Sequence, residues 1–164
     1  MLKINRLRIE IETENGQYGV DESFDLGLNF LASEDNTCGK SSILEAIYYC
    51  LGFEEIIGGK GEKVLTSVYK TFIEDGEKKL HVLEAKMYLE ISNGIEIISL
   101  FRSAKMENRD TKLISVFFSK LKDINNKDTL VEDMYVHMQN ATVNDKGFHH
   151  FLEKFLHLDL PTVP

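Results

Sequence analysis

Basic charge is scarce in this chain. Nineteen lysines and arginines stand against 27 aspartates and glutamates, a formal net charge of −8 over 164 residues. With a pI near 5.1, that balance excludes a surface that is one continuous nucleic-acid footprint, though a local basic patch stays possible. Long apolar runs are missing too, and none reaches the ~20 residues that cross a bilayer. The opening Met1-Leu2-Lys3-Ile4-Asn5-Arg6 lacks the apolar core of a secretory signal. Cysteine is confined to Cys38 and Cys50, which read as reduced cytosolic thiols rather than a disulfide staple. His149, His150 and His157 have no cysteine or carboxylate set at metal-ligand spacing and read as surface histidines. These absences together describe a cytoplasmic chain without a membrane segment.

What is present is ordinary in bulk and specific in one place. Apolar content of 43% and charged content of 28% suit one globular domain with a real core. The specific place is Ser33-Glu34-Asp35-Asn36-Thr37-Cys38-Gly39-Lys40-Ser41-Ser42. It follows an alternating run, Leu26 to Ala32, expected to be a strand, and it opens an amphipathic helix expected over 41–51. Strand, small-residue loop ending Gly-Lys-Ser, then helix is the setting of a phosphate-binding loop. Asn36, Thr37, Cys38 and Gly39 would turn backbone amides toward one point, where the helix dipole adds partial positive charge. Lys40 would bring an ammonium to the β- and γ-phosphates of ATP, Ser41 a hydroxyl to Mg²⁺, and Ser42 a hydroxyl to the α-phosphate. Glu34 occupies the position where the full pattern has its first glycine, and a carboxylate there opposes a triphosphate unless it turns away.

Around that loop the chain reads as strands. Leu7, Ile9 and Ile11 alternate with Arg6, Arg8 and Glu10, and Asn15-Gly16 predicts a hairpin. Its return strand is expected to carry Phe24, Leu26, Leu28 and Phe30 on one face. The loop helix is expected to bury Ile43, Leu44, Ile47, Tyr48 and Leu51, with Gly52 as its stop. Residues 56–63 read as a glycine-rich connector. A meander over 64–119 follows, with turns at Asp75-Gly76 and Asn93-Gly94. Apolar parity switches from even (Leu80, Val82) to odd (Ala85, Met87, Leu89, Ile91), which predicts a bulge near Leu83-Glu84. Lys105, Arg109 and Lys112 read as a solvated loop. A last helix over 147–157 carries Phe148, Phe151, Leu152, Phe155 and Leu156 on one side.

The opening Leu-Lys-Ile-Asn-Arg-Leu-Arg-Ile, then Gly-Leu-Asn-Phe-Leu, then Asn-x-x-Gly-Lys-Ser-Ser-Ile-Leu-Glu-Ala-Ile and Leu-Gly, resembles a known group. It is similar to the N-terminal half of the ATPase head of structural-maintenance-of-chromosomes (SMC) proteins and their RecN- and SbcC-type repair relatives, a head also found in anti-phage defence ATPases. The resemblance is sharp over residues 1–52 and loose over 64–160. It implies an α/β P-loop NTPase of the ABC/SMC-head type, with residues 1–160 forming one strand-rich lobe whose antiparallel meander packs around the P-loop helix. It implies ATP and Mg²⁺ as cofactors, with Gln139 as a Q-loop residue touching the metal and Arg6 or Arg8 near the nucleotide. The family's Asp-Glu strand and Ser-Gly-Gly signature are not in this chain, so the resemblance implies no hydrolysis by this lobe alone. Its partners would be a second head or a missing C-terminal lobe, and DNA through the full assembly. Two other readings stand beside it: a small P-loop kinase, disfavoured because hairpins rather than βα units follow the loop helix, and a degenerate loop kept as an interaction module.

Overall fold

The computed structural model describes residues 1–32, 39–136 and 147–158. Among them the chain runs β1 (Lys3–Thr13), β2 (Gly16–Ser23), α1 (Lys40–Cys50), β3 (Phe72–Asp75), β4 (Lys78–Ser92), β5 (Ile97–Lys105), β6 (Leu113–Phe117), β7 (Val131–Tyr135) and α2 (Gly147–Phe155). All strands join one sheet in the order β2-β1-β4-β5-β6-β7, with β3 paired to β4 beside that path. Every pairing is antiparallel.

This overturns the α/β P-loop expectation. Among the described residues no parallel pair exists for a helix to cross between; α1 lies against one face of an antiparallel sheet. The reason is visible in the turns. Thr13 pairs directly with Gly16, and Asp75 with Lys78, and connections that short permit only antiparallel neighbours. The Gly-Lys-Ser tripeptide drew the reading toward α/β, whereas the hairpins decide the sheet.

Parity along β4 behaves as its sequence predicts. Glu12 pairs with Glu84 and Thr13 with Val82, so Leu83 is the residue skipped. Leu80 and Val82 on one side of that bulge, and Ala85, Met87, Leu89 and Ile91 on the other, then all face the core. With Leu7, Ile9, Ile11, Ile98, Leu100 and Val116 they form the sheet's inner surface. The outer surface carries the alternate residues: Arg6 and Arg8 on Asp21, and Tyr88 stacked on Phe101 at 4.9 Å.

The run over 26–32 is not a strand. Pairing in β2 ends at Ser23, and the Phe24 N–H donates to the Asn5 carbonyl at 2.9 Å. The Asn29 side chain then folds the backbone into a turn, accepting from the Asp25 N–H and donating to the Asp25 and Gly27 carbonyls. Leu26, Leu28 and Phe30 are 83%, 80% and 83% exposed. Their alternation is real, but among the described residues no neighbouring strand is there to receive it.

α1 is rotated from its predicted stripe. Ala46, Ile47, Tyr49 and Cys50 are buried, whereas Leu44 is half exposed. Tyr49, rather than Tyr48, goes inward because its hydroxyl finds acceptors there, as described below. α2 buries Phe148, Leu152 and Phe155 in the same core, as its spacing predicts. The 56–63 connector is two short 3₁₀ turns, Glu54–Ile57 and Gly61–Val64, rather than an open loop. No helix among the described residues is long and apolar enough to cross a membrane.

Candidate functional site

α1 has two unlike ends. At its C-terminus Gly52 takes a left-handed conformation (φ 69°), and the Phe53 N–H returns to the Tyr48 carbonyl at 2.8 Å. A Cβ on Gly52 would lie 2.8 Å from His149 Nε2, so only glycine fits. The Tyr49 carbonyl accepts from Arg102 Nη1 at 2.6 Å, which sets a cation against the negative end of the helix. That guanidinium is fully buried, bonds both oxygens of buried Glu54 at 3.0 and 3.1 Å, and stands 3.7 Å from the Tyr49 ring centre. Its Nε donates to the Thr111 carbonyl, and the Tyr49 hydroxyl reaches the Ser103 and Thr111 carbonyls, each at 3.0 Å. Burial works to raise the Glu54 pKa, but the Arg102 bonds and charge, with the Gly61 amide, outweigh it and hold Glu54 below its ordinary value. Cys50, buried alongside, has its thiol pushed up to about 12 by desolvation and is inert.

Among the described residues, the N-terminus of α1 is left open. Gly39 precedes it in the left-handed region (φ 63°, ψ 6°), with no side-chain cap and no acidic residue in the first turn. Among the described residues a Cβ at Gly39 would meet nothing within 4 Å, and the positive φ is what favours glycine there. The Ile43 N–H is the first to bond back, to Gly39 at 3.1 Å. The amides of Lys40, Ser41 and Ser42 stand before any intrahelical acceptor. These four residues rim a cavity of about 540 Å³. Ile9, Ile11 and Val20 from the β1–β2 hairpin and Val68 make its apolar wall. A concave, mostly apolar space of this size with a few convergent polar groups is the usual form of a small-molecule site.

The far wall is the 3₁₀ turn Ser67–Tyr69 with Thr66 before it. Three bonds tie it to α1. The Thr66 N–H donates to Glu45 Oε2 at 2.9 Å, the buried Tyr69 hydroxyl donates to the Ser42 carbonyl at 2.7 Å, and the Ser42 and Thr66 hydroxyls lie 3.3 Å apart. The cavity therefore lies between two elements that are hydrogen-bonded to each other.

Of the residues singled out from sequence, Gly39, Lys40, Ser41 and Ser42 are brought together at this cavity. Glu34, Asn36, Thr37, Cys38 and Gln139 lie outside the described residues. Arg6 and Arg8 point to the outer face, where both bond Asp21 and pull its carboxyl below the usual value, chiefly through the Arg6 hydrogen bond. They do not reach the cavity. Of the residues read as a solvated loop, Lys105 and Lys112 are exposed, Lys105 also donating to the Val82 carbonyl at 2.6 Å, whereas Arg109 is half-buried, lies over Phe101 and donates to the Ser115 hydroxyl. His149 is packed, stacked on Phe53 and bonded to the Gly52 carbonyl at 2.9 Å. Among the described residues no cluster of three or more His, Cys, Asp or Glu is placed to hold a metal ion. Thr66 and Tyr69 are cavity residues that sequence reasoning missed, as is Glu45, which stays off the lining and holds the Thr66 amide from α1. Only Glu45 follows the motif closely, and nothing local marks a threonine 24 residues beyond Ser42 as its neighbour.

Compared with known proteins, this chain matches no family model, no curated protein and no solved structure.

Proposed function

We propose that this chain binds the phosphates of Mg²⁺-ATP at the start of α1, as one lobe of an SMC-like ATPase head acting in the cytoplasm in DNA repair or phage defence. The observation that carries the reading is the uncapped Gly39-Lys40-Ser41-Ser42 helix start opening on a cavity of nucleotide size. In this reading the amides of residues 40–42 and the Lys40 ammonium meet the phosphate oxygens. The Ser41 hydroxyl holds Mg²⁺, which when bound neutralises phosphate charge. The apolar wall of Ile9, Ile11 and Val20 excludes water from the rest of the ligand.

Leu26, Leu28 and Phe30 support the lobe half of the proposal. Three large apolar side chains, each at least 80% exposed in one short run, are a surface that another polypeptide segment covers. A second head or a C-terminal lobe would do so, and would also supply the acidic and signature groups that hydrolysis needs. The competing reading is a loop that has lost its ligand and serves as an interaction module; Glu34, in place of glycine, favours it.

Calorimetric titration with Mg²⁺-ATP separates the two. Binding by the wild type that falls at least tenfold in Lys40→Ala is the expected result, because Lys40 is the cationic side chain on the described rim. Binding that Lys40→Ala leaves unchanged places the phosphates elsewhere, and no binding at millimolar ATP supports the interaction module.

A further inference from the structure

A threonine at the first position of a helical turn ordinarily turns its hydroxyl back to cap that turn. Thr66 stands at this position before Ser67–Tyr69, with extended backbone (φ −60°, ψ 163°), and makes no such bond. Its hydroxyl points instead across the cavity wall to the Ser42 hydroxyl, 3.3 Å away. The backbone that carries it is fixed by the Glu45 carboxylate and, three residues on, by the Tyr69 hydroxyl. Both hydroxyls border the same cavity as Lys40.

We infer that Thr66 is a phosphate-contacting residue, paired with Ser42 as a two-hydroxyl clamp on one phosphate group of the bound nucleotide. The inference rests on the proposed phosphate site and adds to it a residue from outside the loop and its helix. The chemistry follows from the donors. In the free protein one hydroxyl proton lies between the two oxygens, so one donor is spent on the other hydroxyl. An anionic oxygen set between them accepts from both, exchanging one neutral bond for two charge-assisted ones. A nucleoside without phosphate gains nothing from this exchange. The clamp therefore reads phosphate rather than base.

The test titrates wild type, Thr66→Val, Thr66→Ser and Lys40→Ala with Mg²⁺-ATP and with Mg²⁺-tripolyphosphate, and melts each variant. The expected result is that Thr66→Val weakens both ligands about ten- to a hundredfold, the effect of one lost hydrogen bond to a charged group. Thr66→Ser keeps wild-type affinity and melting temperature, and Thr66→Val melts only slightly lower, having lost the single hydroxyl bond to Ser42. Unchanged affinity in Thr66→Val beside a loss in Lys40→Ala overturns the clamp and leaves the phosphate site standing. Equal losses in Thr66→Val and Thr66→Ser also overturn it, since shape rather than the hydroxyl would then be at work. No binding by the wild type, or none sensitive to Lys40, removes the site and the clamp together.

Discussion

The two ends of α1 differ in how their polar groups are satisfied. At the C-terminal end every partner is internal: Arg102, Glu54, Tyr49, Gly52 and the Thr111 carbonyl form a closed network with no exposed member among the two charged groups. At the N-terminal end, eleven residues away, the helix begins on a bare glycine, without cap or acidic side chain among the described residues, over a cavity. One end fixes the helix to the sheet; the other keeps its donors for something from outside.

Substitutions that break the closed end sharpen this contrast most. Arg102→Met leaves the Glu54 carboxylate buried without its partner, and should cost about 3–5 kcal/mol in urea denaturation. Adding Glu54→Leu should recover much of that loss; a double variant no better than the single would mean that the pair is not the source. The same pair sets an acid limit. Because the folded state lowers the Glu54 pKa, its contribution is complete above the ordinary carboxylate range and disappears as pH falls through the lowered value. Unfolding curves of wild type and Glu54→Gln should accordingly converge only in acid. Tyr49→Phe comes next. It keeps the ring under Arg102 and leaves the Thr111 carbonyl its bond from Arg102 Nε, but takes the hydroxyl from the Ser103 carbonyl, for a loss of about 1 kcal/mol. The smallest effect belongs to the open end: Lys40→Ala should change stability by less than about 0.5 kcal/mol, since the described structure gives its side chain no ion pair to lose. A large destabilisation by Lys40→Ala would make the two ends alike and undo the comparison.

What could be read from sequence follows the same division. The bulge at Leu83 was legible because a change of parity within one strand has a single structural meaning. The start of α1 was legible because glycine before Lys-Ser-Ser signals a backbone turn that other residues resist. The closed end was not legible. Glu54 and Arg102 are 48 positions apart, and an arginine on the apolar side of β5, between Leu100 and Ala104, names no partner. The error over residues 26–32 is of another kind. Alternation expresses a preference to pair, and says nothing about whether a neighbouring strand is there. The α/β expectation failed because a tripeptide fixes one loop and one helix start, while the sheet is decided by hairpins elsewhere.

The central claim is that the open end of α1 is the end that takes a phosphate ligand, and amide-resolved NMR addresses it most directly. On addition of Mg²⁺-ATP, the signals of Gly39, Lys40, Ser41, Ser42 and Thr66 should shift together along one titration curve, while those of Tyr49, Glu54 and Arg102 stay in place. Shifts confined to the closed end or to the outer sheet face, or none at millimolar ligand, would contradict the account.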